Sequence, residues 1–158
     1  MDEEVIIALQ PAPARRAIGT AIVAALGVLL IWLAVVAPPA SALWLAFLLG
    51  LGALALWAAL RMWQATGNAV ELTEAGLRDS DGTVIADFDE IDGIDRGLFA
   101  FKPSNGFLLT LSRPGPRAWR PGLWWRTGRR VGVGGLTPRG PARAMADAIQ
   151  IRLAGRDR

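Results

Sequence analysis

Residues Ala17 to Leu60 read AIGTAIVAALGVLLIWLAVVAPPASALWLAFLLGLGALALWAAL, and these 44 positions between Arg16 and Arg61 contain no Asp, Glu, Lys or Arg. A helix needs about 20 apolar residues to cross the hydrocarbon core of a bilayer, so the stretch holds two spans and a tight turn. A single soluble core helix of that length would far exceed the ordinary range. The sequence therefore predicts an integral membrane hairpin.

The first span is Ala17–Ala37. Pro38 and Pro39 end it, because proline cannot continue the backbone ladder and restricts the residue before it. The second span starts at Ser41 and runs through Leu60, closing the hairpin at residue 62. Trp32, Trp44, Trp57 and Trp63 stand towards the expected ends of the spans, the depth tryptophan prefers. Arg15 and Arg16 precede the hairpin, Arg61 closes it, and the far loop, PPAS, is uncharged. The positive-inside rule then predicts a multi-pass chain with both termini in the cytoplasm. Arg-Arg, an apolar run and ASA at 40–42 also resemble a cleaved secretory signal, but the run exceeds the roughly 7–15 residues of a signal core.

Small residues recur at every fourth position, Ala17, Ala21 and Ala25 in the first span and Ala42, Ala46 and Gly50 in the second. Such ridges let helix backbones approach closely, so these six are the expected packing face. With no charge inside either span there is no candidate proton relay or ion path. The hairpin reads as an anchor or an assembly surface.

The chain has no cysteine and no histidine. That removes disulfides, thiolate and imidazole metal ligands, Cys or His nucleophiles, and the commonest general base. No catalytic residue, cofactor or metal is expected. Sixteen of the seventeen basic residues are arginine, and the net charge is a modest +3.

Beyond a connector at 63–67 the pattern changes to short alternating segments. AVELT, GLRD and TVIADF read as strands, with turns at TEAG and at DSDG, Asp79–Gly82. EIDGIDRG and FAF follow, KPSNG turns the chain, FLLTLS (Phe107–Ser112) reads as a core strand, and RRVGVGG supplies the last. Ala142, Met145, Ala146, Ile149 and Leu153 then recur at helical spacing, opening after Thr137 or Gly140 and capped by Gly155. Antiparallel strands followed by one amphipathic helix bury their apolar faces most economically as a bent sheet closed by that helix.

ELTEAGLRDSDG, FDEIDGID and RRVGVGGLTPRGPARAMADAIQIRL together resemble the bacterial pleckstrin-homology-like (PH-like) domains that follow a two-helix membrane hairpin. The resemblance covers about residues 68–154. It implies a non-enzymatic antiparallel β-sandwich or barrel capped by a helix, with binding functions. PRAWRPGLWWRTG departs from the pattern as an unusually long aromatic connection, so no ligand surface of the family transfers to it. The expected organisation is an N-terminal segment (1–16), the hairpin (17–62), the connector (63–67), the PH-like domain (68–155) and a tail (156–158).

Charge is segregated along this domain. Glu71 to Asp95 holds nine acids and one base, whereas Arg96 to Arg143 holds ten bases and no acid. Such polarity in sequence predicts polarity in space and a field that guides docking. The densest basic stretch is PRAWRPGLWWRTGRR, Pro116–Arg130. Its residues Arg117, Trp119, Arg120, Trp124, Trp125, Arg126, Arg129 and Arg130, with Arg113 just upstream, form the candidate surface for membrane lipids or a partner. Tryptophan and arginine suit both headgroups and protein hot spots. Strand alternation would turn one of Trp124 and Trp125 inward. Nucleic acid is the weaker ligand, since a basic stripe is its only footprint.

VGVGG lacks the spacing of a dinucleotide loop, and DFDEIDGID lacks the twelve-residue calcium pattern. The expected role is a non-catalytic accessory subunit of the bacterial inner membrane that docks on an integral-membrane protein complex, with an anionic-lipid-binding module as the alternative and an enzyme of unknown type or a nucleic-acid binder ranked behind both. A homo-oligomer is compatible with both.

Overall fold

Proline and glycine set the limits of the hairpin and of the ribbon that dominates the second half of the chain. The computed structural model describes residues 4–95 and 105–156. FAF and most of KPSNG, with Arg96 and Lys102, lie outside the described residues. The chain divides into a helical unit, Pro13–Gln64, and a second unit formed by Met1–Ala12 with Ala65–Arg158.

The helical unit consists of α1 (Pro13–Val36) and α2 (Ala42–Ala65), each of 24 residues. At 1.5 Å per residue each is about 36 Å long. Their mean hydropathies of 2.6 and 2.2 make both helices long and apolar enough to cross a membrane. Proline at the first position of α1 costs no hydrogen bond, because that N–H would have no helical acceptor. The boundaries differ from the sequence expectation in two ways. Arg15 and Arg16 lie inside α1, and α2 runs through Trp63 to Ala65, absorbing much of the expected connector.

The helices meet at glycine, not along the expected alanine ridges. A Cβ added to Gly27 would lie 2.8 Å from Leu56 Cγ and 2.9 Å from the Gly52 carbonyl. One added to Gly52 would lie 2.7 Å from Ile31 Cγ1 and 3.0 Å from the Gly27 carbonyl. Each glycine is therefore a notch holding a large side chain of the other helix. Ala17, Ala21, Ala25, Ala42, Ala46 and Gly50 are all exposed, and Gly50 has open space where a Cβ would stand. The reason is phase. Residues two apart lie about 200° around a helix, so Ala25 and Gly27, or Gly50 and Gly52, cannot both face the neighbour.

The second unit contains β1 (Ile7–Leu9), β2 (Val70–Leu72), β3 (Gly76–Asp79), β4 (Val84–Asp87), a 3-10 turn (Phe88–Glu90), β5 (Ile91–Asp95), β6 (Phe107–Arg120), β7 (Trp124–Val133) and α3 (Arg139–Arg156). Strands β1-β2-β3-β4 form one antiparallel sheet and β5-β6-β7 another. The segment 1–16 is thus not separate from the domain. Ile7 to Leu9 pair with Leu72 to Val70, and Leu9 is fully buried. The helical hairpin is an insertion between the first and second strands.

Helix α3 packs on β1 and β5, the outer strands of the two sheets. Ala142, Met145, Ala146 and Ile149 are its buried stripe, and Leu153 packs at its margin. It begins at Arg139, after Pro138, and it runs through Gly155 instead of ending there. Near its end Arg156 donates to the carbonyls of Phe88 and Ile91 at 2.8 and 3.0 Å, and Arg152 lies over the Phe88 ring.

Burial of Leu9 gives a direct test. Leu9→Ala should lower the unfolding free energy of the full chain by about 2–5 kcal/mol, the range for a buried leucine. Ile6→Ala, at a half-exposed side chain, should change it by less than about 0.5 kcal/mol. Denaturant unfolding in detergent measures both. Equal, negligible effects would return the N-terminal segment to a tail.

Candidate functional site

The basic aromatic stretch is not a connection. It forms the outer part of a two-stranded ribbon, β6 and β7, paired from Phe107↔Val133 to Arg120↔Trp124. Arg120, Pro121, Gly122 and Leu123 turn the chain at its tip, where Leu123 N–H donates to the Arg120 carbonyl and Gly122 has a left-handed φ of 83°. The ribbon does not project away from the domain. Gly134 N–H donates to the Leu123 carbonyl at 2.8 Å and Leu136 N–H to the Gly122 carbonyl at 3.0 Å, so the tip returns to the base.

The bend responsible lies in RPGPR, Arg113–Arg117. Between the pairs Thr110↔Arg130 and Gly115↔Gly128 the ribbon has five steps on β6 and two on β7, and a further irregularity follows before Ala118↔Arg126. Proline is tolerated in strands at such bulges because no ladder donor is needed there. On β7, Trp124 and Arg126 are buried, as are Val131 and Val133. An uninterrupted strand cannot bury residues an odd number of steps apart on one face. Gly128, with φ 58°, resets the phase between them.

Three residues of the stretch are consumed by this closure. Trp124 is 2% exposed, and its indole N–H donates to Asp79 Oδ2 at 2.8 Å. Asp79, itself fully buried at the end of β3, also accepts from Asn68 Nδ2 at 2.8 Å, and Arg120 Nε lies 3.7 Å from it. Arg126 is 9% exposed and donates to the Ile85 carbonyl of β4 at 2.9 Å, with Glu90 Oε2 at 3.7 Å. Its guanidinium lies over Gly115, where any side chain would collide with it. Arg120 donates to Asp81 Oδ2 at 2.7 Å.

Trp124 and Arg126 are therefore core residues, and Arg120 is engaged with two carboxylates. The contact surface expected from the sequence loses all three, because strand alternation turns them towards the first sheet. The expected spatial polarity is also reduced, since bases from the basic half lie against acids from the acidic half. Asp81, paired with Arg120, is one such acid. The Thr83 hydroxyl holds its carboxyl below the usual carboxylate value; partial burial opposes this, and the Thr83 N–H and Arg120 reinforce it.

What remains outward is a smaller set. Trp119 and Trp125 face each other across the ribbon, Trp119 half exposed and Trp125 half buried with its indole over Gly132. With Arg117, Ala118, Arg126 and Thr127 they line an open groove of about 370 Å³. Arg113, Arg117, Arg129 and Arg130 are exposed, and none of the four makes an ion pair among the described residues.

The residues expected at the membrane interface fall at two levels of the hairpin. Arg16 donates to the Trp63 carbonyl at 2.8 Å and its guanidinium lies 3.9 Å from the centroid of the Trp63 ring. This contact joins the start of α1 to the end of α2, where a cation is favoured by the carbonyls of the last helical turn. Arg61 stacks over Trp57 at 5.6 Å, while Arg15 is exposed near the start of α1. Trp32 and Trp44 are exposed near the opposite end, with Trp44 edge-on to Phe47. Sixteen helical steps separate Arg16 from Trp32, about 24 Å along the axis.

Among the described residues, no three His, Cys, Asp or Glu side chains are grouped to hold a metal ion. The Asp79–Trp124 bond was not visible in the sequence. Alternation did offer one signal for Arg126, which lies two positions from Trp124 and so shares its face. Comparison of the chain with family models, curated proteins and solved structures finds no match.

Two outcomes test this geometry. Trp124→Phe removes one donor from a buried carboxylate and should cost about 2–4 kcal/mol, whereas Trp119→Phe should cost under about 0.5 kcal/mol in the same unfolding measurement. For Asp81, a depressed folded value means stabilisation that is present above the unfolded value and lost as pH falls through the folded one. Carboxyl-carbon NMR should show Thr83→Val raising the Asp81 pKa, and Arg120→Gln raising it less. No movement in either variant would remove these contacts as the cause.

Proposed function

We propose that this chain is a membrane-anchored, non-catalytic interaction subunit of the bacterial inner membrane, whose cytoplasmic PH-like domain docks on an integral-membrane protein complex. The observation that carries this is the insertion of the hairpin between β1 and β2. A hairpin flanked on both sides by paired strands of one sheet begins and ends on one side of whatever it crosses. Arg15, Arg16 and Arg61 at that end favour the cytoplasm, leaving Pro38–Ser41 as the far loop. Cleavage after Ala42 would separate Leu9 from the core it helps to fill, which argues against a removable leader.

The PH-like assignment is supported by the order of elements, a four-stranded and a three-stranded antiparallel sheet followed by a C-terminal helix. An anchor with no charged residue inside its apolar spans offers no transport path, and this favours an assembly role. The exposed helix faces, including the six small residues unused within the hairpin, are the surface available for partner helices.

Absence of cysteine makes topology simple to test. In intact cells an impermeant maleimide should label Ala40→Cys, and should label Ser80→Cys only after permeabilisation. The reverse pattern would invert the topology. For the assembly role, the tagged full chain purified in mild detergent should elute with one integral-membrane protein in fixed stoichiometry by native mass spectrometry. A lone monomer would overturn it.

A further inference from the structure

We propose that the bent end of the β6–β7 ribbon is a docking surface for an anionic phospholipid bilayer. This rests on the membrane-anchored part of the preceding proposal and adds the ligand of one face of the domain. Six side chains carry it: Arg113, Arg117, Arg129 and Arg130, with Trp119 and Trp125.

The arginines flank the bend in the ribbon. Arg113 and Arg117 on β6 and Arg129 on β7 lie between the Thr110↔Arg130 and Ala118↔Arg126 pairs, and Arg130 belongs to the first of these pairs. Arg120 and Arg126, their neighbours in sequence, are held by Asp79, Asp81 and Glu90, so among the described residues the ribbon separates ion-paired cations from four that make no ion pair. Among the described residues these four exposed arginines have no carboxylate partner, and the complement of such a positive surface is a dense array of negative charge. Beside them Trp119 is 51% exposed and lines one groove with Arg117 and Trp125, so apolar rings and a cation face the same space.

Headgroups of an anionic bilayer meet both demands together. Phosphates accept from guanidinium N–H groups, and an indole prefers the interfacial zone. Tethering favours this occupant over nucleic acid or an acidic peptide. Three residues join β1 to α1 and four join α2 to β2, so a lipid surface is met at high effective concentration without a separate encounter. Trp124 and Arg126 tie the ribbon backbone to the first sheet, so the ordering cost of docking is confined to the side chains of the patch.

The test uses the full chain in nanodiscs. Thr127→Cys, at the groove wall, provides a unique site for an environment-sensitive fluorophore, because the protein has no other cysteine. In discs containing phosphatidylglycerol the probe should shift to the blue and be quenched by headgroup-labelled lipid. In phosphatidylcholine discs it should do neither. Each Arg→Gln change among the four arginines should lower the docked-to-undocked ratio about fivefold. Salt at about 1 M, where the screening length is roughly 3 Å, should abolish docking.

Trp119→Ala should weaken docking by more than any shift of its unfolding transition accounts for, and Trp124→Phe serves as the folding control. Identical spectra in the two kinds of disc, or a response unaffected by the arginine changes, would overturn the proposal. Protection of the probe only when a co-purifying protein is present would likewise overturn it, in favour of a protein partner. Failure of the chain to enter discs at all would instead refute the membrane-anchored function, so the two failures are distinguishable.

Discussion

A single buried hydrogen bond, from the Trp124 indole to the Asp79 carboxylate, constrains how this domain closes. Asp79 ends β3 in the first sheet and Trp124 begins β7 in the second. A fully buried carboxylate is tolerable only when its oxygens are satisfied, and Asn68, Trp124 and Arg120 surround this one. The acid needs the ribbon to fold back; the ribbon, bent at RPGPR and at Gly128, brings the indole to it. Arg126 repeats the device one turn of the pleat away, covering the Ile85 carbonyl of the outer strand β4.

The two sheets are consequently joined along two unlike seams. On one side α3 seals β1 and β5 with the stripe Ala142, Met145, Ala146 and Ile149, an apolar and non-directional closure. On the other, polar groups with fixed geometry seal β3 and β4 to β7. The first seam was legible in the sequence, because helical spacing of apolar residues declares a buried face. The second was not. Nothing in DSDG distinguishes an ordinary turn from one whose first aspartate is a buried acceptor, and arginine at strand spacing reads as solvated unless its neighbours are known.

The same contrast runs through the rest of the chain. The two apolar helices, the short strands around Leu72, Leu77 and Ile85, and the final helix follow from periodicity and composition. Strand β1 escaped because three residues, Ile7, Ala8 and Leu9, are too few to show a period, and because their partner lies across the hairpin. Pairing Leu9 with Val70 over so many intervening residues would carry a closure cost in a flexible chain. Here the antiparallel helices, notched at Gly27 and Gly52 and pinned by Arg16 on the Trp63 carbonyl, return the chain to its starting point. The loop that β1 and β2 must close is then three residues on one side and four on the other.

Charge shows why composition alone misplaced part of the candidate surface. Nine acids followed by ten bases suggest a domain with two oppositely charged faces, but sequence distance is not spatial distance once a ribbon folds back on its own sheet. Arg120 meets Asp79 and Asp81, Arg126 meets Glu90, and much of the segregation cancels internally. Cancellation is incomplete, and the remainder is informative. Among the described residues, the arginines of this stretch that find no acid are those nearest the bend, where β6 carries residues in excess of its partner strand. Geometry therefore selects, from a stretch that looks uniformly basic, the few cations whose charge is left for something outside the domain.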